Sequence, residues 1–160
     1  FNVGAIDGGG AVNVVPERAV LRFNIRVPDA ESAAWAEAEV RRIAREADAS
    51  DGIDAHLHGG FTRPPKPLND QQRTMVSWTR HAGAVLGLDL QFRPSGGVCE
   101  GNNLAAAGCP NIDTLGPCGG GLHSDEEFAV ISSFAERAKL SFLLLAGVER
   151  GVFDVRSLRP

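Results

Sequence analysis

The stretch Ala19-Val20-Leu21-Arg22-Phe23-Asn24-Ile25-Arg26-Val27 alternates without a break. Ala19, Leu21, Phe23, Ile25 and Val27 are apolar at every second position, and Arg22, Asn24 and Arg26 fall between them. A period of two is that of a strand with one buried face, so the three polar side chains share the opposite face. Phe1 to Ile6 reads as its antiparallel partner, joined through the glycine loop Asp7-Gly8-Gly9-Gly10 and the segment Asn13-Val14-Val15-Pro16. Pro28-Asp29 ends the second strand, and Asp29 or Ser32 can cap the helix that follows. In that helix Ala36, Val40, Ile43, Ala44 and Ala47 recur at helical spacing. A short strand over 53–58 is expected to close a small α+β unit with the sheet on one side and the helix on the other.

Pro64, Pro65 and Pro67 make 61–68 an extended linker and the best domain boundary. Beyond it Asn69 can cap a helix carrying Met75, Trp78, Ala82, Val85 and Leu86, ending at Gly87. Strands are expected over 88–93 and 111–115, with a short helix over 102–107 between them. A glycine loop, 116–121, then leads to a long helix from about Asp125 to Ala146, with Phe128, Ile131, Phe134, Ala138, Phe142 and Leu145 as its buried stripe. Strands alternating with helices imply an α/β layer, whose ligands sit in the loops at the strand C-terminal ends.

Composition sets the outer limits. The 160 residues carry a net charge of −4 and are 43% hydrophobic and 22% charged, as in ordinary globular chains rather than disordered or fibrous ones. No block of Lys or Arg is present to hold a phosphate backbone, which excludes nucleic acid as a partner class. The longest apolar run, Leu140 to Val148, falls far short of the roughly 20 residues that span a bilayer, so no membrane partner is expected. Cys99, Cys109 and Cys118 are odd in number with no C-x-x-C pair, and are read as buried or half-buried free thiols. The first residue is Phe1 and strand-like alternation begins at once, as expected of the back part of something longer.

The densest chemical signal is Gly116-Pro117-Cys118-Gly119-Gly120-Gly121-Leu122-His123-Ser124-Asp125-Glu126-Glu127. Ser124 and Glu127 have capping-box spacing, which would start the long helix here and leave His123 just outside it. The positive helix end disfavours a protonated imidazole, so His123 is available as a neutral metal ligand or packs as an ordinary helix-start residue. Neighbouring helical residues point about 100° apart, so His123, Asp125, Glu126 and Glu127 cannot converge on one metal pair. His56 and His58 share a strand face but lack a third ligand, and His81 reads as an exposed helix residue. The triple glycines at 8–10 and 119–121 are tight turns or anion-binding backbone, and neither fits a nucleotide loop.

Three segments together resemble a known family. Asn2-Val3-Gly4-Ala5-Ile6-Asp7-Gly8-Gly9 through Asn13-Val14-Val15-Pro16 to Arg26 resembles the dimerisation, or lid, domain of the zinc-dependent exopeptidases. That family contains the glutamate carboxypeptidases, aminoacylases, acetylornithine deacetylase and succinyl-diaminopimelate desuccinylase. Ser95-Gly96-Gly97-Val98-Cys99-Glu100-Gly101-Asn102 resembles its Gly-Gly-x-Ser/Thr-Asp loop, with Glu100 in place of the usual Asp, and 112–124 resembles its last metal-ligand motif.

The resemblance implies an α/β protein in two parts: a partial two-layer α+β lid over 1–62 and the C-terminal half of the catalytic domain over 63–160. It makes His123 a metal ligand, and Arg26 and Asn13 substrate-binding groups. Arg26 would grip a carboxylate, and Gly119, Gly120 and Gly121 would line the same pocket. It further implies a cytoplasmic homodimer formed through the lid, two zinc ions per active site, and a small peptide or N-acyl amino acid as substrate. The family's His-x-Asp pair and Glu-Glu have no counterpart in these 160 residues, so no catalytic residue lies in this chain and the chain alone is expected to be inactive. A non-catalytic dimerisation or interaction module on the same scaffold is the alternative.

Overall fold

The computed structural model describes residues 1–159, which form two compact units, Phe1–Pro65 and a second from Lys66 onward. In the first, β1 (Asn2–Gly8) pairs antiparallel with β2 (Ala19–Asn24). The register runs from Asn2 opposite Asn24 to Gly8 opposite Ala19, with an irregularity between Val3 and Ala5. Gly8, at φ 141°, ends β1 where an added Cβ would lie 2.6 Å from the Arg18 carbonyl oxygen, so only glycine lets the strands approach there. The alternation of β2 survives in part. Phe23 is half-buried, its ring 5.4 Å from that of Phe1, whereas Leu21 stays exposed. After Asn24 the chain leaves the ladder, yet Ile25 and Val27 remain half-buried and Arg26 exposed.

Helix α1 (Ala30–Asp48) begins at Asp29, whose side chain accepts a hydrogen bond from Ser32 N at 2.8 Å. Of its apolar positions only Ala36 is buried. Arg41 with Glu37, and Arg42 with Glu39 and Glu46, lace its outer surface at i,i+3 and i,i+4 spacing. The expected strand over 53–58 does not form. The segment pairs with no strand, and Ala55 N instead donates to Asp48 Oδ1 at 2.9 Å.

The second unit is built on α2 (Asp70–Val85), α3 (Glu100–Ala106) and α4 (Ile131–Glu149), closed by a 3-10 turn over Val155–Leu158. Asn69 caps α2, accepting from Gln72 N at 2.9 Å, and Gly87 turns out of it at φ 72°. Gln72, Thr79, Ala82 and Gly83 are buried on α2, and Ser133 and Leu140 on α4, which packs against it. Phe153 completes this core. Its ring stacks on Trp78 at 5.3 Å, meets His81 edge-on, and lies where a Cβ on Gly147 would fall 2.4 Å away.

Three expectations fail here. Residues 88–93 and 111–115 form no strands: no ladder among the described residues includes them, and Thr114 takes a left-handed φ of 59° that breaks a strand. The long helix starts at Ile131, not Asp125. Its apolar stripe faces outward: Phe134 is 54% and Phe142 66% exposed, while the packed face carries Ser133 and Leu140. No helix among the described residues is long and apolar enough to cross a membrane.

Candidate functional site

At the end of β2, Arg22 and Arg26 share a face but differ in surroundings. Arg22 forms an ion pair with Asp7 of β1, a cross-strand partner that only the register reveals. Arg26 lies in a shallow cleft with Phe1, Asn2 and Asn24, its Nε donating to Asn24 Oδ1 at 3.3 Å. Asn13 is exposed on the loop joining the closed end of the hairpin, while Arg26 follows its open end, so local structure alone does not pair them.

In the second unit, Gly119 and Gly120 form β3 and pair antiparallel with β4 (Phe128–Ala129), enclosing a tight turn over 121–127. Here the capping-box residues act without a helix. Ser124 Oγ donates to Gly121 O at 2.7 Å and accepts from Glu126 N at 3.2 Å. Glu127 Oε2 accepts from His123 N at 3.2 Å. His123 therefore sits on a β-turn and not at a helix end, which corrects the expected placement. The cause lies on both sides of the turn: the glycines pair with Phe128-Ala129, a stretch of strand-favouring type, and this ladder outcompetes the cap. Val130 N reaches Cys118 O at 2.8 Å, and Cys118 N donates to Ser133 Oγ at 2.9 Å, so the start of α4 is sewn to the loop.

His123 adopts φ 65°, a left-handed conformation that costs a non-glycine residue about 1 kcal/mol. Such strain, held by the Glu127 contact, keeps the exposed imidazole at the tip of the turn. Gly119, Gly120 and Gly121 precede it on the same hairpin, and a Cβ on Gly121 would fall 2.6 Å from Glu126 O. Among the described residues no three His, Cys, Asp or Glu side chains converge on a common metal position. The rings of His56 and His58 are 6.4 Å apart, and His56 Nε2 lies 3.3 Å from Asp54 Oδ1 on an exposed segment.

One cluster escapes reading from the sequence. Lys66 pairs with Asp113 and donates to Asn111 Oδ1 at 3.1 Å, and Cys99 Sγ donates to the same Asp113 Oδ2 at 3.2 Å. Burial pushes the Asp113 carboxyl up, but hydrogen bonds from Lys66 and Cys99 and the lysine charge together outweigh it and hold the group below the usual carboxylate range. Cys99 also caps α3, accepting from Gly101 N at 3.3 Å while its own N–H donates to Asn102 Oδ1 at 3.1 Å. The loop over 95–102 is thereby fastened to 111–113. The cysteine-for-serine capping box, Cys99 with Asn102, was the available signal, whereas Lys66 and Asp113 are 47 residues apart. All three cysteines are free thiols; Cys99 and Cys118 are half-buried as expected, but Cys109 is exposed, just after the turn that follows α3.

Residues 1–52 match the family model described as a peptidase dimerisation domain. Over 145 residues, 87% of this chain, the sequence is 31% identical to the succinyl-diaminopimelate desuccinylase of Bordetella pertussis, of which the match covers 36%. The desuccinylase of Bordetella bronchiseptica matches equally, and that of Rhodospirillum rubrum is 29% identical over 147 residues, 88% of this chain and 35% of the relative. The chain thus spans about a third of the length of the curated relatives it matches. No solved structure matches. With a dimerisation domain matched at one end and desuccinylase similarity running through both units, the chain is similar to the peptidase family that includes the succinyl-diaminopimelate desuccinylases.

Proposed function

We propose that this chain is the C-terminal part of a dinuclear zinc hydrolase of carboxypeptidase type, cleaving an amide bond next to a free carboxylate in a small peptide or N-acyl amino acid. Residues 1–62 serve as the lid through which two copies pair, and 63–160 contribute the second half of the catalytic domain. The observation that carries the reading is the continuous similarity to desuccinylases across both units, with the dimerisation domain in its expected place.

Arg26 is the carboxylate-binding group: it lies beside Asn24 in a shallow cleft, and its planar fork suits a bidentate carboxylate. Asn13 adds a second polar contact from the loop, and the backbone of Gly119, Gly120 and Gly121 lines the pocket that His123 adjoins. The residues present do not by themselves fit a zinc centre. His123 is a single imidazole, and a four-coordinate site needs further donors that the described residues do not bring to it. The remaining ligands and the general base therefore belong to polypeptide outside these 160 residues, and this chain alone is inactive.

The reading is tested by mass and by turnover. The chain is expected to sediment near twice its 16.9 kDa, and the full-length protein with zinc is expected to hydrolyse an N-acyl amino acid that the chain alone leaves intact. A dimer without turnover by the full-length protein would favour the interaction module instead, and a strictly monomeric chain would contradict the lid assignment.

A further inference from the structure

Arg137 of α4 turns its guanidinium to the base of the glycine hairpin, where Nη2 donates to Cys118 Sγ at 3.1 Å. The Nε of the same group is buried and has no hydrogen-bond partner among the described residues. Glu136 Oε1 lies 3.5 Å from it, near enough for ionic attraction but not bonded. A buried donor without a hydrogen bond is destabilising, so its position calls for a physical reason. Nε–H and Nη2–H leave the planar guanidinium side by side, and that edge can engage two oxygens at once. Arg156 uses it in this way on Asp154, Nε to Oδ1 at 2.9 Å and Nη2 to Oδ2 at 3.2 Å. On Cys118 a single sulfur engages only one of the two N–H groups.

The surroundings of the sulfur narrow the group that would engage both. Cys118 N is held by Ser133 Oγ at 2.9 Å and its carbonyl by Val130 N at 2.8 Å, so the backbone is fixed and new acceptors can enter only on the side chain. The other two thiols face oxygen instead. Cys99 Sγ donates to the Asp113 carboxylate, and Cys109 Sγ reaches the Pro110 carbonyl at 3.8 Å. We propose that Cys118 is a peroxide-oxidation site whose sulfinate is received by the Arg137 fork. The Cys118 sulfur attacks one oxygen of hydrogen peroxide, the O–O bond breaks and water leaves, giving the sulfenic acid. A second peroxide adds the second oxygen and leaves as a second water, so sulfur loses two electrons in each step and each peroxide gains them. The sulfinate spreads one negative charge over two oxygens, which is the acceptor that Nε and Nη2 match together. This inference concerns the chemistry of Cys118 alone and does not depend on amide hydrolysis.

The test exposes the full-length protein to hydrogen peroxide and follows, by peptide mass, the gain of one and two oxygen atoms at Cys99, Cys109 and Cys118. Cys118 is expected to reach the two-oxygen form about tenfold faster than Cys109, although Cys109 is the more exposed thiol. Arg137→Met, which removes the fork, should bring Cys118 down to the rate of Cys109 or below. Arg137→Lys, which keeps the charge without the fork, should fall between Arg137→Met and the parent. Cys118 oxidising no faster than Cys109 in the parent would overturn the proposal, and that comparison needs no variant to fold. An unchanged Cys118 rate in folded Arg137→Met would also overturn it, assigning the reactivity to exposure, and a parent-like rate in Arg137→Lys would do the same by assigning it to charge alone. A protein oxidised selectively at Cys118 but unable to hydrolyse amides would refute the proposed function while leaving this inference standing.

Discussion

Replacing Gly121 with alanine probes the turn that carries His123, and the structure separates its cost into two parts. The residue has φ 66°, which an alanine adopts at a cost of about 1 kcal/mol. Its new Cβ would also lie 2.6 Å from Glu126 O and 2.9 Å from Glu126 C, both backbone atoms of the opposite arm of the hairpin. Relief requires the arms to part, at a further cost of about 1–2 kcal/mol. Gly151→Ala isolates the first part, since Gly151 has φ 70° with open space around it, and Gly116→Ala, with neither constraint, is the blank in the same unit. Urea unfolding followed by Trp78 fluorescence reports on the second unit, because Trp78 stacks on Phe153. A Trp35→Phe background removes the signal of the exposed tryptophan in the first unit. Losses of about 2–3 kcal/mol for Gly121→Ala, about 1 for Gly151→Ala and under about 0.5 for Gly116→Ala are expected. A Gly121→Ala variant as stable as Gly116→Ala would refute the close approach of the hairpin arms.

Two other perturbations test the second unit. Leu140 is fully buried, so Leu140→Ala should cost about 2–5 kcal/mol in urea unfolding, whereas Phe142→Ala on the open side of the same helix should cost under about 1 in this chain. Lys66→Met should destabilise by about 1–3 kcal/mol at pH 7 by stripping a partly buried carboxylate of its partner. Asp113 has a lowered pKa in the folded state, so its contribution is fully present above the unfolded carboxyl value of 3.8 and is lost as pH falls through the folded value. The gap in stability between Lys66→Met and the parent should accordingly narrow below pH 4 in acid titration, and a gap independent of pH would count against the pair.

Local chemistry was legible wherever one element could be read alone. Asn69 and Gly87 bracket α2 because a cap and a left-handed exit act within a turn of the helix they bound. Strand β2 shows in its alternation, although the burial that alternation implies is incomplete without a second layer over Leu21. What escaped depends on partners distant in the chain. The start of α4 turned on whether Gly119-Gly120 would find Phe128-Ala129, and the segments over 88–93 and 111–115 belong to no ladder among the described residues. The apolar stripe of α4 reads from spacing as core, and its outward orientation follows only from which face meets α2. In the site, Arg26 and His123 were visible as residue types in a pattern. That Arg22 is occupied by Asp7, and that Lys66, Asp113 and Cys99 share one oxygen, required the register and the fold.

The most direct test of the proposed function is kcat/KM of the full-length protein for an N-acyl amino acid and for the same compound with its carboxylate amidated, measured for the parent, Arg22→Ala and Arg26→Ala. The parent and Arg22→Ala should prefer the free carboxylate. Arg26→Ala should lose roughly 30- to 1000-fold on the carboxylate, equivalent to about 2–4 kcal/mol of transition-state binding, and little on the amide, so the preference collapses. Retention of the full carboxylate preference by a folded, dimeric Arg26→Ala variant would contradict the reading.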